Sequence, residues 1–218
     1  MAQIFPRWSN RIPVAIAATV PVVVIGITFG LWYWGSPKFT DVGYRPTQPV
    51  PFSHKLHAGD MGMDCRYCHN TVEHGALAAI PPTQTCMNCH TQVLPESPKL
   101  APVRHSYEAD VPVEWVRVHL LPDYAYFNHS VHVAAGVGCA SCHGRIDQMP
   151  VVTQAEPLSM GWCLECHRNP TPNLRPKSEV TNMAWDAATA NYDPNQDPHR
   201  IRKAAELQPP QHCSGCHR

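Results

Sequence analysis

Cys65-Arg66-Tyr67-Cys68-His69 is the stretch on which the reading of this chain turns. Two cysteines three positions apart, followed at once by a histidine, form the attachment signature of c-type haem. Each thiol can make a thioether to one haem, and the adjoining imidazole is presented to its iron. Four more copies follow: Cys86-Met87-Asn88-Cys89-His90, Cys139-Ala140-Ser141-Cys142-His143, Cys163-Leu164-Glu165-Cys166-His167 and Cys213-Ser214-Gly215-Cys216-His217. Together they use all ten cysteines of the 218 residues.

The competing uses of cysteine fit poorly. Structural zinc draws on sets of four ligands, often paired Cys-x-x-Cys knuckles, and five copies do not pair off. A disulfide framework places no histidine beside its cysteines. A thioredoxin-like pair occurs once, near a βαβ pattern. The sequence therefore predicts five c-type haems, with His69, His90, His143, His167 and His217 as proximal iron ligands.

Twenty-three prolines spread along the chain work against long helices and continuous strands. The expected fold is mostly irregular, with short α-helices wrapped around five haems that themselves form much of the core, plus one N-terminal transmembrane helix. Formal net charge is zero with histidine neutral, which gives no electrostatic case for nucleic acid.

Residues 12–34 carry no charge and are mostly apolar. About 23 residues at about 1.5 Å each make roughly 34 Å, enough to span a bilayer. Trp32, Tyr33 and Trp34 sit at one end and Trp8 lies before the other, as interfacial aromatics do. Pro21 is placed to kink the helix, whereas Pro13 near its start is harmless. A cleaved signal peptide is the rival, but its apolar region is usually shorter and no small-residue cleavage site follows here. Arg7 and Arg11 precede the span, so the positive-inside rule puts the N-terminus in the cytoplasm. The expected organisation is a cytoplasmic N-terminus (1–11), an anchor (12–34), a linker (35–50) and a periplasmic haem domain (51–218). The expected location is a bacterial inner membrane.

The haem domain contains a partial repeat. Phe52-Ser53-His54-Lys55-Leu56-His57 precedes Cys65, and Phe127-Asn128-His129-Ser130-Val131-His132 precedes Cys139. A second haem motif follows each repeat, so the pattern reads as a duplicated two-haem module with a fifth haem added at the C-terminus. Fourteen histidines less five proximal ones leave His54, His57, His74, His105, His119, His129, His132, His199 and His212. Outside the repeats, each is as readily an ordinary surface or capping histidine as a ligand. His119, in a proline-bounded extended run, is the expected fifth distal ligand. His199 is a contender, because Asp197 and Pro198 read as the start of a short helix reaching Leu207. His212 abuts Cys213 too closely to reach its own iron. Met149 and Met160, between the third and fourth motifs, are runner-up ligands, and methionine would raise that haem's potential. Trp115, Trp162 and Trp185 read as packing on porphyrin faces, and Arg200 to Lys203 as a solvated helix face or a partner contact.

Phe-x-His-x-x-His ahead of a haem motif resembles the small class III multihaem cytochromes of the c3 and c7 type. That resemblance implies that His54 ligates the haem of Cys65 and Cys68, and His129 the haem of Cys139 and Cys142. His57 and His132 would then reach neighbouring haems, left unassigned at this point.

The chain as a whole resembles the membrane-anchored pentahaem cytochrome c subunits of alternative complex III. The residues that carry this are the span, the five motifs, the run from Val118-His119-Leu120-Leu121-Pro122 to His132, and Leu158-Ser159-Met160-Gly161-Trp162 ahead of Cys163. The resemblance implies an electron-transfer subunit, not an enzyme by itself, of a quinol:acceptor oxidoreductase. Its implied partners are an iron–sulfur subunit, polytopic quinol-binding subunits, a monohaem cytochrome c and a periplasmic electron acceptor. Two alternatives stay open: a free-standing electron donor to a reaction centre or terminal reductase, and a catalytic multihaem reductase with one open haem.

Overall fold

The computed structural model describes residues 4–200 and 203–217. Its backbone divides into two compact units, one ending at Asp41 and the other beginning at Val42. In the first, a 3-10 turn at Arg7–Arg11 leads into α1 (Ile12–Trp34). The α-helix continues through Pro21 and closes at Gly35, whose N–H donates to the Leu31 carbonyl at 3.0 Å. None of its residues is buried, and by length and composition it is apolar enough to cross a membrane. A helix apolar on all sides has no stripe to set against a protein core, and its backbone bonds are satisfied internally, as lipid requires. A single turn, α2 (Pro37–Thr40), follows.

The second unit is built from short helices, as the proline content demands. They are α3 (Cys65–Cys68), α4 (Thr83–His90), α5 (Ala101–Ala109), α6 (His129–Ala135), α7 (Ala140–His143), α8 (Met160–Arg168) and α9 (Cys213–Cys216), with a π-helical turn at Lys55–Asp60. Among the described residues no β-strand forms; two isolated bridges pair Ala125 with His217 and Val137 with Leu174.

Local chemistry sets several of these boundaries. Asp64 caps α3 by accepting from Arg66 N–H, Asn128 caps α6 by accepting from Ser130 N–H, and Ser159 caps α8 by accepting from Trp162 N–H. Gly136 ends α6 at φ 83°, a left-handed conformation that suits glycine.

The protein core of this unit is sparse. Among the described residues the buried apolar side chains are Val50, Val103, Leu174, Val180, Met183 and Ala204. Too little apolar surface is buried among protein atoms alone for a conventional core of this size.

Candidate functional site

Each Cys-x-x-Cys-His stretch folds as one helical turn. Residues i and i+3 share a helix face, so the two thiols of each motif lie side by side. The histidine N–H bonds back to the first cysteine's carbonyl at His69 (2.8 Å), His143 (3.0 Å) and His217 (2.9 Å). No disulfide joins any of the ten cysteines. Burial pushes up the thiol pKa values of Cys65, Cys68, Cys86, Cys139, Cys142, Cys163 and Cys166, to about 11 for Cys65 and about 12 for Cys142. Among the described residues no three His, Cys, Asp or Glu side chains converge tightly enough to hold a bare metal ion. The thiols are not gathered as a zinc site would gather them.

The histidines pair instead, two by two, across a gap. Ring centres lie 6.4 Å apart for His54 and His69, 6.3 Å for His57 and His90, 6.5 Å for His129 and His143, and 6.1 Å for His132 and His167. The rings of the first and third pairs are nearly parallel, at 4° and 12°. A metal bound about 2 Å from each of two opposed imidazole nitrogens, each nitrogen about 1.1 Å from its ring centre, separates the centres by about 6 Å. The four gaps fit an iron held between two axial imidazoles.

Hydrogen bonds aim the rings. Nδ1 faces a backbone carbonyl in His57 (Ser53, 2.9 Å), His69 (Ala79, 2.8 Å), His90 (Val93, 2.9 Å) and His129 (Ala76, 2.8 Å). The same holds for His132 (Asn128, 2.7 Å), His167 (Pro210, 2.7 Å) and His217 (Tyr124, 3.0 Å). A carbonyl only accepts, so Nδ1 carries the proton and Nε2 keeps the lone pair that binds metal. Burial, followed by neighbouring imidazoles, holds the His54 pKa down at about 4 and that of His143 at about 3. Both are kept neutral, as ligands must be.

Two phenylalanines complete the modules. Phe52 stands edge-on to His54 (4.9 Å, 86°) and against His57 (4.4 Å, 24°). Phe127 does the same to His129 (4.8 Å, 88°) and His132 (4.4 Å, 31°). The sequence repeat is a structural repeat, and its phenylalanine is the wedge that fixes both rings. The repeated Phe is the sequence signal for that role.

The motifs also have definite neighbours. Asn88 in the second reaches the Tyr67 hydroxyl in the first (3.3 Å). Cys65 and Cys139 both approach the same short segment, through Thr181 O (4.0 Å) and Val180 O (3.0 Å). The loop that anchors His69 at Ala79 anchors His129 at Ala76. His129 and His132, one turn apart on α6, join the third site to the fourth. Pro210 and Gln211, just before the fifth motif, bond to His167. Cys86 lies close enough to raise the pKa of Cys68, Cys139 that of Cys65, Cys166 that of Cys142, and Cys216 that of Cys163. The spatial order of motifs is second, first, third, fourth, fifth.

The remaining candidates lie elsewhere. His119 is not brought opposite His217. Its ring stands edge-on to His143 at 4.5 Å (77°), with Nε2 buried and unpartnered. The reason lies upstream: the Gln48 side chain brackets Val116, donating to its carbonyl (2.8 Å) and accepting from its N–H (3.0 Å). This tethers the run to the His54 side. Further along, Tyr126 N–H donates to Cys216 O at 2.8 Å and Ala125 bridges to His217. The ring beside His217 is that of Tyr124, at 5.6 Å and 43°.

His199 is exposed in a turn, its N–H donating to Asp197 Oδ1 at 2.9 Å. The expected helix from there to Leu207 is replaced by that turn and a 3-10 turn at Ala204–Glu206; residues 201 and 202, part of the expected basic face, lie outside the described residues. Arg200 donates to Ala135 O at 2.7 Å, so it packs on the end of α6. Met160 is 66% exposed at the start of α8, and Met149 accepts at its carbonyl from Lys55 N–H (3.0 Å). Trp185 packs against Tyr192 (5.4 Å) and under Arg175 (5.0 Å). His74, His105 and His212 are exposed.

Residues 125–218, which hold the third, fourth and fifth motifs, match the family model of cytochrome c7 and related cytochrome c. The chain is also 34% identical over 122 residues to the menaquinone reductase multihaem cytochrome c subunit of Nitratidesulfovibrio vulgaris. That match covers 56% of this chain and 55% of the relative, so it spans about half the relative's length. The chain thus carries a multihaem cytochrome c domain of electron transport, with c-type haem as its cofactor.

Proposed function

We propose that this chain is the electron-transfer subunit of a membrane quinol:acceptor oxidoreductase of the alternative complex III kind, with one c-type haem on each of its five Cys-x-x-Cys-His turns. The supporting observation is the set of four imidazole pairs at 6.1–6.5 Å. Bound haem supplies a one-electron iron couple, and an iron with two imidazole ligands has no position for substrate. On this reading His69, His90, His143, His167 and His217 are proximal ligands. His54 serves the first site, His57 the second, His129 the third and His132 the fourth.

The residues hold a conduction path in a line, second–first–third–fourth–fifth. Two of its links are short covalent ones: His54 and His57 on one turn tie the first and second sites, and His129 and His132 tie the third and fourth. The five proximal rings are oriented by backbone or packing contacts, so no side chain needs to move a proton for the path to operate. In this reading α1 anchors the chain in a bacterial inner membrane, N-terminus inward by Arg7 and Arg11. The cysteine turns then lie on the periplasmic side. The partners are an iron–sulfur subunit, polytopic quinol-binding subunits, a monohaem cytochrome c and a periplasmic acceptor. The printed name of the relative, a menaquinone reductase subunit, supports a second reading in which net flow runs inward to menaquinone.

Rapid mixing on the native assembly, extracted in mild detergent, separates these. Quinol that reduces the haems quickly, and is blocked by quinone-site inhibitors, supports outward flow. Haems oxidised by menaquinone but not reduced by quinol favour the inward reading. Exchange with neither abandons both, in favour of a free-standing donor or a catalytic reductase.

A further inference from the structure

The chain leading into the third motif runs beside the segment from Asn173 to Arg175. Arg175 N–H donates to Gly136 O at 2.8 Å, Gly138 N–H donates to Asn173 O at 3.3 Å, and Val137 bridges to Leu174. This pairing lays the Arg175 side chain against Gly138 and Cys139. A Cβ at Gly138 would overlap the guanidinium, which explains the glycine there.

Arg175 is 7% exposed. Its Nη1 donates to the Asn182 carbonyl at 2.8 Å and reaches the Glu179 carbonyl at 3.5 Å. The guanidinium carbon stands 5.0 Å from the centre of the Trp185 ring, and Nε is buried with no partner. Carbonyls and an aromatic face carry no full negative charge. The Glu179 carboxylate, whose charge reaches Arg175, accepts instead from Asn182 Nδ2 at 2.8 Å. Guanidinium stays protonated in proteins. A buried charge is also screened far less than a surface one. Its field is felt at the third motif: burial pushes the Cys139 thiol pKa up, and Arg175 pulls it back.

Ferric iron carries one more positive charge than ferrous iron, so a fixed cation nearby disfavours the oxidised form. We infer that Arg175 sets the redox poise of the third haem, making it more easily reduced than it would be without this charge. The inference rests on the assignment of a haem to Cys139 and Cys142. The third site is the middle of the line of motifs, so Arg175 governs how readily an electron rests between its two halves.

The test is a spectroelectrochemical titration of the full-length protein in detergent. The third haem is identified as the one that becomes high-spin in His129→Ala. Arg175→Gln is expected to shift its ferric-to-ferrous ratio about tenfold toward ferric at fixed potential, equal to about 59 mV for one electron. Arg175→Lys keeps the charge and retains most of the native value. An unmoved third haem in Arg175→Gln, or an equal loss in Arg175→Lys, overturns the inference. Should Arg175→Gln fail to load haem, Arg175→Met, which removes the charge but keeps a long unbranched side chain, decides. A shift toward ferric supports the role of Arg175, and no shift removes it. Peptide mass analysis keeps the two failures apart: no haem on Cys139 removes the assignment itself, whereas haem there with an unmoved potential removes only Arg175.

Discussion

Phe52 lies 4.4 Å from His57, ring centre to ring centre, with 24° between the planes, and Phe127 holds His132 at the same distance. One aromatic ring thus orients two imidazoles that face different partners. Phe52→Ala is expected to cost about 2 kcal/mol of stability through lost packing. It should also broaden the low-spin EPR signals of the first and second haems together. Phe127→Ala should do the same to the third and fourth. Broadening confined to one haem would mean that the wedge serves one ring only.

Removing an axial imidazole opens an iron. His54→Ala and His129→Ala are each expected to convert one low-spin haem to high-spin. His54→Met should stay low-spin with a raised potential. His119→Ala should leave the number of low-spin haems unchanged, because its ring stands edge-on to His143 at 4.5 Å, which leaves no room for an iron between them. Unchanged spectra in both alanine variants of the first kind would sink the pairing.

The fifth site should differ from the rest. Tyr124 is the ring beside His217, and none of the imidazoles described opposes it. Near-infrared magnetic circular dichroism is expected to show four bis-imidazole haems and one of another ligation. Five identical bis-imidazole signatures would mean that a histidine swings in when haem is bound.

Acid should loosen the first motif at a defined place. The bonds from Arg66, at 2.9 Å to each oxygen, hold the Asp64 pKa down from its ordinary 3.8 to about 2. A depressed carboxylate contributes stability that is fully present above about pH 4 and is lost as pH falls toward about 2. Asp64 is 42% exposed, so the contribution is below about 1 kcal/mol. Its Oδ2 also accepts from Thr181 Oγ1 at 2.9 Å, tying the first motif to the segment beside the third. Melting temperature followed from about pH 5 to about pH 2 should fall less steeply in Asp64→Asn than in the native protein.

The Cys-x-x-Cys-His turns were legible because the motif has a fixed spacing, and the Phe-x-His-x-x-His repeat carried its own ring geometry. His54 and His129 lie 6.4 and 6.5 Å from His69 and His143, the histidines of the motifs that follow them. The partners of His57 and His132 could not be read from spacing, because they depend on how α4 and α8 fold back toward them. His119 stayed ambiguous because Gln48, 68 residues away from Val116, fixes its position. Arg175 left no pattern at all: its environment comes from residues 136–138, 179–182 and 185, gathered only by tertiary folding. The helix expected at His199 gave way to a turn, where Arg200 is drawn to the Ala135 carbonyl.

The small number of buried apolar side chains among the described residues bears on biogenesis. An apoprotein with so small a nucleus gains little by collapsing, so each thioether attachment supplies the interior that the next segment packs upon. Maturation and folding then become a single event. A chain that misses one attachment exposes unburied backbone to proteases, so quality control of the cofactor is built into the survival of the polypeptide.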